Sequence, residues 1–182
     1  MKQAFAIVLF LLTLISVPAV YGQQDDEAVR NRTREKLAQL LEKAGPDIKV
    51  NFTQSQKQPY NYVGSLRTGL VNAESFEIVV SVTPKETIGF RIYPHYNKGY
   101  INVDNVKDRA GLMRLLLRLS DRAFLFWGAD EAGDIFTGYT FTLESGFPEE
   151  AIRIVLRSIV NSDKFVGEMR PFIDGTSAGA VK

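Results

Sequence analysis

The sequence offers few side chains able to do covalent or acid–base chemistry. Cysteine is absent and His95 is the single histidine. That removes thiol nucleophiles, iron–sulfur ligation and thiolate zinc sites, and leaves a multi-histidine metal site without ligands in one chain. A Ser-His-Asp triad would have to use His95, and no Gly-x-Ser-x-Gly elbow accompanies it. Asp130, Glu131 and Asp134 carry enough charge to interest a hard cation. Calcium, however, takes about six to eight oxygens, and the ligand ladder of an EF-hand loop is missing, so these acids read as turn residues. Glu149 and Glu150 are adjacent. On a helix they diverge by roughly 100 degrees and cannot face each other as a catalytic pair.

The aromatic residues are more suggestive of binding. Tyr93, His95, Tyr96 and Tyr100 gather around Pro94 and Gly99. They read either as cover for a sheet edge at a strand-end loop or as an aromatic recognition lip. Phe124, Phe126 and Trp127 read as core or dimer surface rather than as a ligand box. No cofactor or metal is expected from these patterns.

Elements that could position these residues follow from periodicity. Asp25 to Ala44 reads as a helix with Val29, Leu37, Leu40, Leu41 and Ala44 on one face, stopped by Gly45-Pro46. Asp25, Asp26 and Glu27 suit its positive start. Arg30, Arg32, Arg34 and Lys36 read as a solvated face. Ile48, Val50 and Phe52 alternate as a strand. Tyr60 to Val63 is a weaker strand, Phe76 to Val82 a strong one, and Thr83-Pro84-Lys85-Glu86 a turn. Ile88 to Tyr93 and Gly99 to Val103 complete the strands of this region.

A second helix is expected from about Val106 to Ser120, capped by Asp104 or Asn105. Leu112, Met113, Leu115, Leu116, Leu117 and Leu119 cover most of its circumference. Such a helix is buried, or packs on its sheet with one side and on another protein with the other. Phe124 to Trp127 and Ile135 to Leu143 form a hairpin about Asp130-Glu131-Ala132-Gly133. Ile135, Thr137, Tyr139, Phe141 and Leu143 share one face. Phe147-Pro148-Glu149-Glu150 starts a third helix striped by Ile152, Val155, Leu156, Ile159 and Val160. Asn161-Ser162-Asp163 caps or kinks a last segment through Phe172, and residues 174–182 read as a flexible tail. The order helix, strands, helix, hairpin, helix, with short connections, indicates an α+β fold: an antiparallel sheet with helices packed on it.

The segment from about Asp104 to Phe172 resembles the bacterial YbjN family, whose domains are similar in fold to the type III secretion chaperones. Three features carry the likeness. One is the leucine helix ending Arg118-Leu119-Ser120 before an aromatic strand. Another is the acidic-glycine turn Asp130-Glu131-Ala132-Gly133-Asp134-Ile135. The third is Leu143-Glu144-Ser145-Gly146-Phe147-Pro148-Glu149-Glu150 entering an aliphatic helix. The resemblance implies a chaperone-like or regulatory protein–protein role, often a dimer, and no cofactor.

The N-terminus adds a destination. Met1-Lys2-Gln3 precedes an uncharged stretch from Ala4 to Val20, broken by Pro18 and ending Val20-Tyr21-Gly22. This is the pattern of a secretory signal peptide, residues 1–22, cut between Gly22 and Gln23. The expected layout is then one α+β domain over 23–173 and the tail, in the periplasm or outside the cell, with no stable membrane insertion after cleavage. The cut removes Lys2, one of 22 basic residues, and balances the remainder against 21 acids. A neutral domain shows no electrostatic footprint for nucleic acid. The expectation is a non-enzymatic exported domain that binds a protein partner or itself. Its expected surface is the open side of the sheet and the second helix, with Leu112, Leu116, Tyr93, Tyr96, Tyr100 and Trp127 named for it. A carrier of a small apolar molecule or lipid is the alternative.

Overall fold

In the computed structural model the described residues are 19–85 and 87–176. Most of the segment expected to be a signal peptide therefore lies outside them, as do residues 177–182. Among the described residues there are four α-helices, α1 (Ala19–Ala44), α2 (Arg109–Arg122), α3 (Glu149–Ser158) and α4 (Asp163–Asp174). The strands are β1 (Thr53–Gln54), β2 (Asn61–Leu66), β3 (Ser75–Val82), β4 (Thr87–Tyr96), β5 (Gly99–Tyr100), β6 (Phe126–Ala129) and β7 (Ile135–Thr142). The fold is α+β. All strands pair antiparallel in the order β1-β2-β3-β4-β7-β6, and β5 folds back on the end of β4.

Register explains the core. Tyr62, Val80, Phe90 and Tyr139 stand in one row across β2, β3, β4 and β7. Ile78, Ile92, Thr137 and Trp127 stand in the next. Side chains on a strand alternate faces, so these rows line one side of the sheet. They merge into one apolar cluster with Leu37 and Leu41 of α1, Leu112, Leu116 and Leu119 of α2, Ile152 and Val155 of α3, and Val166 and Met169 of α4. The helices thus cover one face.

Several expected elements are corrected. α1 begins at Ala19, so Asp25, Asp26 and Glu27 lie inside it rather than at its start. Ile48, Val50 and Phe52 are not a strand. The Gly45 carbonyl accepts from both Ile48 and Val50, and Lys49 turns through a left-handed conformation (φ 57°), which reverses the chain before β1. Val50 and Phe52 then lie against Gly64 of β2, where a Cβ would stand 2.5 Å from Val50 and 2.9 Å from Phe52. β4 runs on to Tyr96 through Pro94. The β7 ladder has already ended at Ile92, so the missing proline N–H leaves no gap on that side. α2 is capped by Asp108, whose carboxylate accepts from the Gly111 amide at 2.8 Å, and not by Asp104 or Asn105.

Two polar contacts tie the ends of the chain to the sheet. Arg30 donates twice to the Val82 carbonyl, at 3.1 and 2.8 Å, with its guanidinium 3.5 Å above the Tyr60 ring. It is a staple between α1 and β3, not part of a merely solvated face. Asp163, buried at the start of α4, accepts from the amides of Val71, Asn72 and Ala73 and from the Asn72 side chain. Burial alone would raise its carboxyl. Those donors outweigh burial and hold it below the usual range.

Candidate interaction face of the sheet

The sheet face away from the helix cluster is the candidate site. On an antiparallel sheet with one wet face, outward positions are normally polar. Here the outward positions of β4 and β7 include Tyr93 and Phe136, both buried, yet both outside the main apolar cluster. They are buried by each other and by neighbouring rings. Phe126 meets Phe136 edge-on at 5.8 Å, Phe136 meets Tyr93 at 5.7 Å, and Tyr93 meets Tyr100 at 5.6 Å. His95 closes the series at 4.4 Å from Tyr100. The result is a ribbon of five rings running from strand β6 to strand β5.

Backbone geometry makes room for it. Gly138 lies opposite both Arg91 and Phe126, and a Cβ there would stand 2.6 Å from the Phe90 carbonyl and 3.0 Å from the Phe126 ring. Only a glycine leaves room for the Phe126 ring at this position. Gly89, on the same face, has nothing within 4 Å of where a Cβ would be. The floor beside the ribbon is therefore bare backbone. A trough of about 920 Å³ follows this face, with Ser81, Val79, Gly89 and Thr140 at one end and the aromatic residues at the other.

Charged groups sit against the rings. The Tyr93 hydroxyl donates to Asp130 Oδ2 at 3.2 Å and the Tyr100 hydroxyl to Glu77 Oε1 at 2.9 Å. Arg91 lies 5.0 Å from the Phe136 centroid. Burial raises the Tyr93 phenol above its usual range; Arg91 opposes this and Asp130 adds to it. Burial first, then the hydrogen bond to Glu77 and its charge, push Tyr100 up to about 12. Both phenols are thus held protonated as donors. Neither phenol is poised as a catalytic base near neutral pH. His95 Nε2 is buried without a hydrogen-bond partner.

The expected surface residues divide. Leu112 (0% exposed), Leu116 and Trp127 (6%) belong to the core and present no surface, which corrects their assignment. The exposed apolar residues of this region are instead Met113, Leu117 (71%), Phe124 (62%) and Phe126. The aromatic lip is also split. Tyr93, His95 and Tyr100 share the open face. Tyr96 falls on the opposite parity of β4, where its hydroxyl donates to Asp174 at 2.7 Å beneath the Arg170 guanidinium. Asp174 is the last residue of α4, so the helix reaches the first residue of the expected tail, most of which lies outside the described residues. Gly22 and Gln23 lie within the helical backbone of α1. The acids of the β6–β7 turn do turn work: Asp130 Oδ1 accepts from the Ala132 and Asp134 amides, both at 3.0 Å.

Phe136, Arg91 and Glu77 were not among the residues singled out from sequence. Assigning Ile135, Thr137 and Tyr139 to one face does place Phe136 on the other. Nothing local shows that β7 pairs with β4, which is what brings Phe136 to Tyr93. Neither a family model, a curated protein nor a solved structure matches the chain.

Proposed function

We propose that this chain is a non-enzymatic exported domain that binds a polypeptide, either a partner or a second copy, across the open sheet face. The five-ring ribbon from Phe126 to His95 carries the reading, with Phe126 and Tyr100 as its exposed members and Tyr93 and Phe136 as the buried support between them. Aromatic residues laid side by side on a face that no described helix covers are the usual makings of a binding core, and tyrosine adds donors at little entropic cost. Exposed Leu117 and Phe124 extend the apolar surface beyond the sheet. The resemblance to the YbjN family supports a protein-binding role, and the N-terminal pattern supports export. Among the described residues no helix is long and apolar enough to cross a membrane.

Carriage of a small apolar molecule is the second reading, favoured by the 920 Å³ trough. Two measurements separate them. Periplasmic extract is passed over the immobilised domain and over a Tyr100→Ser, Phe126→Ser variant of matching circular dichroism. A polypeptide retained by the first and lost by the second supports the proposal. Equal retention overturns it. Native mass spectrometry showing a copurified small molecule instead would favour the carrier.

A further inference from the structure

We propose that the occupant of the open face is an extended segment bearing arginine or lysine, seated with its cation at the Tyr93–Tyr100 end of the trough. This rests on the polypeptide-binding reading and adds the chemistry of the partner.

The argument begins with charge. Glu77, Asp130 and Asp134 are half-buried around the two tyrosines. The ion pairs among the described residues are Arg109–Asp104, Arg122–Glu168 and Arg153 with Glu149 and Glu150. None involves these three carboxylates. Arg91, also on the face, lies over Phe136 close enough to Tyr93 to act on its phenol, and it forms none of these salt bridges. Three carboxylates against the Arg91 guanidinium leave this end of the trough net negative, so a cationic partner gains more here than at a neutral surface.

The second strand is shape. No three acidic or histidine side chains among the described residues converge closely enough to hold a metal ion. The carboxylates are spread around rings instead, which suits a larger organic cation. Tyr93 and Tyr100 meet at 70° between ring planes, leaving Tyr100 41% exposed. A guanidinium or ammonium over such a face is attracted by the ring quadrupole. Tyrosine hydroxyls donating to carboxylates make those rings more electron-rich. The remainder of the trough has the bare Gly89 floor with Ser81 and Thr140, room for a main chain rather than a bulky helix. Arginine also stays charged at any working pH and pairs with carboxylates through two parallel bonds.

The test uses the full mature chain and three short peptides of alternating sequence: arginine with valine, glutamine with valine, and glutamate with valine. Binding is followed by calorimetry at low and moderate salt. The arginine peptide should bind at least about tenfold more tightly than the glutamine one, and lose affinity as salt rises. Glu77→Gln and Asp134→Asn should each weaken it by about tenfold, with circular dichroism unchanged. Ile154→Ser, on the exposed side of α3 and away from the trough, should not. If the glutamine or glutamate peptide binds as well as the arginine one, the charge assignment is overturned while polypeptide binding stands. If none binds, the assignment fails outright. Light scattering on the same samples reveals a second copy as the occupant, which would also overturn it.

Discussion

The carboxylate of Asp163 accepts the Ala73 amide at 2.8 Å across ninety positions of sequence. Its other oxygen takes the Val71 amide at 2.9 Å. Asp163→Asn turns an acceptor toward these donors into a donor and removes the charge. The expected loss is about 3 kcal/mol, because buried donors are left bare. The carboxyl is held below its ordinary range in the folded chain. Its contribution is therefore complete above the unfolded carboxylate pKa near ~4 and is lost as pH falls through the lower folded value. Urea unfolding at a series of acid pH values should show this slope in the parent and a flatter one in Asp163→Asn.

Tyr100 should be the last phenol on the open face to ionise. Its value of about 12 exceeds that of a free tyrosine, so any stability it adds is present below pH ~10 and is lost as pH rises through about 12. Glu77→Gln removes the charge and leaves a weaker, neutral amide acceptor, but does not change the burial. The phenol should then move part of the way back. Tyrosinate absorbance in an alkaline titration reads this directly; no change would mean that burial acts alone.

Arg30→Ala should loosen α1 from the sheet. Two bonds to the Val82 carbonyl and the Tyr60 stack are lost together. A cost of about 2 kcal/mol is expected. Arg30→Lys should recover less than half, because a lysine cannot both fork and stack. Thermal melts of the two variants provide the comparison.

Ser120 guards the outer edge of β6. Its Oγ accepts the Trp127 amide at 2.8 Å and lies 3.1 Å from the Trp127 carbonyl. An edge strand with free groups invites another strand. Ser120→Ala should cost about 1 kcal/mol and raise self-association, seen as concentration-dependent light scattering. A strictly monomeric variant would mean that the edge is protected by other means.

Alternation made much of the sheet readable. Phe76 to Val82 and Ile135 to Leu143 show a period of two that survives in β3 and β7. The leucine helix was harder. Leu112, Leu116 and Leu119 take the core, while Met113 and Leu117 stay outside. With leucine on nearly every side, sequence cannot say which stripe turns inward. The tyrosine cluster divided for a related reason. Pro94 looked like a strand end, and once the strand runs through it, parity sends Tyr93 and His95 one way and Tyr96 the other. Asp163 looked like a local cap because its partners lie far off in sequence.

That same aspartate has a temporal consequence. Synthesis is vectorial, and β2 and β3 leave the ribosome long before α4 does. Until the C-terminal helix arrives, the bend at 71–73 has no anion to gather its three amides. A nascent chain stopped before residue 163 should therefore leave the bend between β2 and β3 loose, and that bend should tighten only once the last-made helix docks.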